Sequence, residues 1–456
     1  MLPIKIFQNL KVKRMKKNNY FYTSWMVAVF IMLTSCDAGF DAMNTDKTSL
    51  TSVEPALQLN NAIMASALGG DQIRCESSIV KQQMRIFTGV GACGNFNVDA
   101  RETSSSNWDN IYETRLRNLI DAQRNTDPDS NLYQMIRIWK AYSFMILTDT
   151  YGDVPYGEAG LGFLEGIVFP DYDTQEFVYT SDQGILEELA NASAALSASM
   201  PEASRDLLYD GDVTQWKRLG YSLLLRAAMR LSKVQPDLAE EYVGIAVAGG
   251  LMQSNEDNAI IRHTAEYVNS VGSSLNGGQS HYQYLVEDFV DYLSENDDPR
   301  LGSIAVRYPG ATGAGDQTES NADRSPGNQV GMPMGYDNSN INPVAEAAGL
   351  TSFMAYSQVD RTRIMDPQAP SFLITYSLQQ LLLAEAAQRN WFAGDASALY
   401  ESGIEAHMQQ FAEYGEDTAI GQNAIDGYIQ ANPLEPGREL ELINTQYWFD
   451  SYLIPP

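Results

Sequence analysis

The sequence predicts an all-α protein made of helical hairpins and broken by one long irregular insertion. Three observations carry this expectation. Apolar residues recur at three- and four-residue spacing along most of the chain, alternating strand-like runs are sparse, and a stretch rich in Gly, Asn, Ser and Pro over about residues 262–370 has no regular spacing.

Amphipathic helices are expected over residues 53–68, 108–122, 132–147, 185–196, 216–231 and 372–391. Capping chemistry agrees with several boundaries: Ser130 stands before Leu132, Thr214 before Trp216, and Asp395 opens a helix directly after the Gly394 that ends its predecessor. Residues 371–393 and 395–414 form the clearest hairpin, joined by a tight Ala-Gly-Asp turn. Within it, Leu383-Ala384-Glu385-Ala386-Ala387 places small residues where two helices must approach, while Trp391 and Tyr400 fill the grooves between them. Helix, short turn, helix is the repeating unit of a tetratricopeptide-like solenoid. Residues 79–87 also read as helix. The long insertion is too extended to be an idle connection in a compact domain, which makes it a candidate functional region.

At the N-terminus, Lys16 and Lys17 precede an apolar run over residues 25–33, and the run ends in Leu33-Thr34-Ser35-Cys36. It has the length of a signal-peptide core and is too short to cross a bilayer of roughly 30 Å. Residues 1–35 are therefore expected to be a cleaved signal peptide, followed by one domain over residues 36–456. Met15 is a natural start, since the charged region and apolar core are complete without the residues before it. Cys36 at the new terminus would accept a diacylglycerol, and a third acyl chain on the amine would make anchoring effectively permanent.

With 30 basic and 58 acidic side chains the chain carries a formal charge of −28. Every charge in the first 35 residues is basic, so the mature protein is more acidic still. Binding a polyanion requires a basic face, which argues against nucleic acid as a partner. Beyond Cys36, Cys75 and Cys93 are either a disulfide closing a short loop or two buried free thiols; export permits the bridge, and spacing does not choose. The 25 tyrosines serve equally as core or as stacking surface.

Several motifs fail on context. Gly89-Val90-Gly91-Ala92-Cys93-Gly94 fits a dinucleotide pattern, but with a helix before it and loop after it the strand–turn–helix that meets a phosphate is missing. The three histidines, His263, His281 and His407, lack metal-ligand neighbours at helical spacing, so no metal site or catalytic triad is expected. Asp127-Pro128-Asp129-Ser130-Asn131 lacks the glycine and terminal glutamate of a calcium loop and reads as a helix-start turn. Trp108, four residues before Tyr112, reads as hairpin packing. No cofactor is expected, and no nucleophile elbow or acid pair marks an enzyme.

The segment Ala141-Tyr142-Ser143-Phe144-Met145-Ile146-Leu147-Thr148-Asp149-Thr150-Tyr151-Gly152-Asp153-Val154-Pro155-Tyr156-Gly157-Glu158-Ala159 resembles the signature of the SusD/RagB family of nutrient-binding outer-membrane lipoproteins. Its Tyr-Gly-Asp-Val-Pro-Tyr core is the specific part. Further stretches match in order: residues 40–46, the Leu-Arg-Ala-Ala-Met-Arg-Leu-Ser within 216–232, Asp298-Pro299-Arg300-Leu301, and the final hairpin. The resemblance implies a tetratricopeptide-like domain with its ligand site on loops of one face. It also implies a SusC-like TonB-dependent outer-membrane transporter as partner, on the cell exterior, receiving captured oligosaccharides or peptides. After Thr445-Gln446-Tyr447-Trp448 the family usually continues with a segment containing Trp-Arg-Arg, so the chain, stopping at Pro456, reads as C-terminally truncated.

Aromatic residues in irregular segments are the expected ligand contacts: Phe96 with Asn97, then Tyr282, Tyr284, Tyr308 and Tyr336 in the insertion. Rings stack on the apolar face of a pyranose while amides answer its hydroxyls. Oligosaccharide capture is thus the first functional expectation. Peptide capture by the same fold and a scaffold for a surface complex follow as alternatives.

Overall fold

The computed structural model describes residues 53–67, 69, 76–86, 105–200, 206–278 and 280–455. Cys36, Cys75, Cys93, Phe96, Asn97 and the glycine run at 89–94 lie outside these residues.

From Glu54 onward the chain forms one compact unit. Helix α1 (Pro55–Met64) starts on a proline whose missing N–H costs nothing at a first helical position. It packs on α2, a continuous helix formed by Ser106–Asp109, a π-helical stretch Asn110–Leu116, and Arg117–Arg124. The π stretch carries Arg115, 1% exposed, whose Nε donates to Ala65 O at 3.1 Å and to Asn110 Oδ1 at 2.9 Å. Burial pulls the Arg115 guanidinium down to about 10.

Helix α3 (Asn131–Tyr151) is capped as expected, with Ser130 Oγ accepting the Tyr133 N–H at 3.2 Å. Asp127 forms the helix-start turn, its Oδ1 accepting the Asp129 N–H at 3.0 Å. The inner face of α3 puts Trp139 edge-on to Trp216 at 6.1 Å in the main core. Helix α4 (Ile185–Ala195) lies against α3 and is tied to it by a two-pronged Arg137–Glu188 pair at 3.0 and 2.9 Å. Helices α5 (Val213–Arg230) and α6 (Pro236–Gly249) form the next hairpin. The cap of α5 is Asp212 rather than Thr214: its Oδ1 accepts the N–H groups of Thr214 and Gln215, and its carboxylate answers these exposed donors better than a hydroxyl further inside would.

The Tyr-Gly-Asp-Val-Pro-Tyr segment turns out to build a corner. Tyr151 ends α3, and Gly152 takes φ +78°, where a β-carbon would be strained. The chain then turns outward, and each following residue is pinned. Asp153 Oδ1 accepts from Gln175 N at 3.0 Å, Val154 pairs with Asp173, and Pro155 O accepts from Tyr112 Oη at 2.7 Å. Asp173 Oδ2 accepts from both Tyr156 N and Gly157 N, at 3.1 and 2.9 Å. Trp108 packs here against Tyr112 and Tyr151, at 4.8 and 5.4 Å between ring centroids, as the hairpin reading expects.

The insertion contains helix α7 (Glu287–Glu295), and the last hairpins are α8 (Tyr376–Gln388), α9 (Ala396–Gln410), α10 (Gln422–Ala431) and α11 (Glu439–Asp450). Asp395 caps α9 as expected. Helix α8 begins later than its periodicity suggested, because Thr375 caps it and the preceding residues are a strand. The described strands form three antiparallel pairs: β1 (Gln83–Arg85) with β3 (Gln283–Leu285), β2 (Ala259–Ile261) with β6 (Ser371–Ile374), and β4 (Ala305–Val306) with β5 (Gln358–Val359). Strand β1 corrects the helical reading of residues 79–87. A strand therefore does precede the glycine run, but its antiparallel partner makes no parallel nucleotide-binding sheet.

The insertion is not a slack loop. It has its own apolar core around Met84, Tyr284, Met332 and Tyr356, and a second centre joins Phe289 to Phe449 and Tyr452. Arg300, 1% exposed, stitches it to the hairpins: its Nε donates to Asp298 at 2.9 Å, and its amino groups reach His407 Nδ1 at 2.9 Å and Gln446 Oε1 at 2.8 Å.

Candidate ligand-binding face

The β1–β3 pair sets the geometry of the candidate face. Its register places Met84 opposite Tyr284, both pointing into the insertion core, and alternation along a strand turns Arg85 the other way. The ladder extends one step beyond β3, where the Ile86 N–H donates to Tyr282 O at 2.8 Å. Tyr282 is consequently held at the mouth of the strand pair. The Arg85 guanidinium lies 5.9 Å from its ring centroid, and the His281 ring leans on it at 4.0 Å with a 42° tilt.

Tyr282 and Tyr336 are each half-buried against the insertion core. Tyr284 and Tyr308 do not join them as contact rings. Tyr284 is 0% exposed, with its hydroxyl donating to His281 O at 3.0 Å; Tyr308 is 1% exposed under the Arg361 guanidinium at 5.4 Å. Neither can offer a ring face to a ligand; they are the packing on which the outer residues stand. Phe96 and Asn97 fall outside the described residues, in the segment that follows Ile86.

Arg85, His281 and Arg361 complete the face, and sequence reasoning missed them as members. Arg361 donates from Nη2 to Gln317 O at 2.7 Å, which fixes its plane. Burial, helped by the nearby Arg361 charge, lowers the His281 pKa. His281 is thus neutral at pH 7, one ring nitrogen donating and the other accepting. The only available signal was the His-Tyr dipeptide at the head of a strand. The face as a whole offers flat apolar surface beside polar and cationic edges. It can hold a ligand with an apolar face and hydroxyl rim.

The other histidines are structural. His263 bonds to Tyr267 O at 3.3 Å and to Ser371 Oγ at 2.9 Å, and His407 is buried beside Arg300. Among the described residues no group of His, Cys, Asp and Glu is placed to hold a metal ion, and no helix is long and apolar enough to cross a membrane.

Helical hairpins carrying a packed, ring-bearing insertion define a mostly helical, SusD-like fold. The chain belongs to the SusD-like family described as starch-binding and associating with the outer membrane, which it matches over residues 47–454. Similar solved structures include a chitin-binding protein, 30% identical, with a TM-score of 0.75 over 88% of this chain and 84% of that one. A Bacteroidetes SusD-like protein is 25% identical, with a TM-score of 0.74 over 88% and 86% of the two chains. A SusD homologue from Bacteroides fragilis, at 24% identity and a TM-score of 0.69 over 88% and 85%, shares the fold. A comparison with curated proteins gives no match.

Proposed function

We propose that the protein is a lipid-anchored receptor on the outer face of the outer membrane that captures oligosaccharide and passes it to a SusC-like TonB-dependent transporter. The observation that carries the reading is the chain's membership of a family described as starch-binding, with Tyr282 and Tyr336 half-buried at the edge of the insertion core as candidate stacking rings. The chitin-binding protein at 30% identity supports a glycan as the ligand class. Phe96 and Asn97, which lie outside the described residues, remain candidate ligand contacts, and Cys36 carries the acyl chains. The role is binding without turnover.

For the transporter, support comes from an apolar surface at the corner after α3, where Val168, Phe169 and Tyr172 are 68%, 91% and 64% exposed. Large apolar side chains clustered on one exposed loop are the usual mark of a protein partner.

Calorimetric titration with a panel of soluble oligosaccharides tests the site. One of them binds, and Tyr282→Ala and Tyr336→Ala each weaken it about three- to tenfold, the worth of one stacked ring. Unchanged affinity in both variants would remove the site from this face, and turnover of a labelled glycan by the pure protein would overturn the binding role.

A further inference from the structure

On the helical side, a pocket of about 540 Å³ lies between α5, α8 and α11. None of its lining residues belongs to the insertion, so it is independent of the ring-bearing face. Leu381 and Ile443 contribute apolar wall, while Arg226, Arg230, Lys233 and Arg389 line it with positive charge. In a chain of net charge −28 such a concentration of cations needs a reason.

Pairing accounts for half of it. Arg230 Nε meets Asp149 at 3.1 Å, and Arg389 holds Glu385 with contacts of 2.9 and 2.7 Å. The pocket's other acid, Glu441, is engaged by Arg438 at 2.8 Å. Arg226 is 6% exposed, its Nε is buried without a hydrogen bond, and among the described residues it makes no ion pair with a carboxylate. Lys233, at the open end of α5, is exposed and makes no ion pair among the described residues. A guanidinium withdrawn from water without a counter-ion is among the costlier arrangements in a protein interior. An anion from outside removes that cost.

We propose that this pocket binds an organic oxyanion, a carboxylate or a sulfate ester on a small sugar or apolar body, with Arg226 as the two-pronged anchor and Lys233 as the second cation. The planar guanidinium matches either head group through paired N–H bonds. The volume suits a small organic molecule, and the leucine and isoleucine wall gives its body something to rest on.

Calorimetric titration of the full chain with sodium glucuronate, glucose 6-sulfate and glucose tests the assignment. At least one anion binds while neutral glucose does not compete for its site. Glucuronate alone identifies the carboxylate, glucose 6-sulfate alone the sulfate ester, and both together the shared oxyanion chemistry. Arg226→Gln weakens the bound anion at least about tenfold, the loss of a charge-assisted pair. Lys233→Gln, at an exposed position that does not threaten folding, weakens it several-fold and flattens the dependence on sodium chloride. Absence of anion binding at tens of millimolar, or binding that both variants leave unchanged, overturns the proposal. Loss of glycan binding in Tyr282→Ala with anion binding intact keeps the two sites distinct.

Discussion

Within the insertion Gly331 packs directly against the backbone at the start of α7, and replacing it with alanine should loosen the whole ring-bearing region. A β-carbon there would sit 2.4 Å from Glu287 Cα, 2.8 Å from Glu287 N and 2.8 Å from Val286 O. All three are backbone atoms, so no side chain can swing aside. The glycine is required for close approach, not for backbone freedom. Ordinary contact begins at 3.4 Å, so the two segments must part by about 1 Å. That separation stretches the flanking bonds from Glu287 N to Met332 O at 3.0 Å and from Met332 N to Leu285 O at 2.9 Å. Two lost backbone bonds at about 1 kcal/mol each, added to about 1–3 kcal/mol for overpacking, give a loss of about 3–5 kcal/mol. Urea denaturation measures it as a lowered midpoint, and limited proteolysis should cut the insertion first. A Gly331→Ala protein within about 0.5 kcal/mol of the parent would refute the reasoning. Met332 would then have to accommodate the shift from within a fully buried position.

Asp450 gives a pH signature. Both of its carboxylate oxygens are buried without a hydrogen-bond partner, and burial pushes its pKa up to about 7, against a smaller opposing pull from nearby Ser377 and Arg300. The folded state therefore holds a proton between about pH 4 and 7 that the unfolded chain has released, and stability falls as pH rises through that window. Asp450→Asn should gain on the parent across the same window, by up to about 4 kcal/mol above pH 7, with no gain at pH 4; a pH-independent difference in thermal unfolding would contradict this. Asp173→Ala removes the acceptor for two backbone N–H groups of the corner and should cost about 2 kcal/mol, read by denaturant unfolding; an unchanged midpoint would show that water replaces the carboxylate freely. Phe169→Asp, at a 91% exposed position, should leave stability and glycan affinity unchanged while abolishing co-purification with a large β-barrel transporter; retained co-purification would move the partner surface elsewhere.

The helical architecture was legible because it is a local property. The three- and four-residue spacing in α3 and α5, the Ser130 and Asp395 caps and the small-residue seam of α8 act within a turn or two of their own positions. Family membership was legible for a related reason: the corner after α3 folds through a contiguous run of residues, each with its own pinned partner. The strands were not legible. β1 is three residues long, and what makes it a strand is β3, some two hundred positions away in the chain.

The candidate sites divide in the same way. Residue type and loop position selected six rings and amides, but position cannot say which ring faces outward. Tyr282 and Tyr284 are two apart at the head of β3, and burial separates them: Tyr284 fills the insertion core while Tyr282 is half-buried at its edge. His281, Arg85 and Arg361 became partners only when three distant segments met. The same holds for Arg226, an ordinary arginine on an amphipathic helix until packing of α8 and α11 withdraws it from water without supplying an anion. Periodicity and capping are short-range and survive in a linear string. Burial and charge pairing depend on which distant surfaces come together, and that is settled only when the chain has folded.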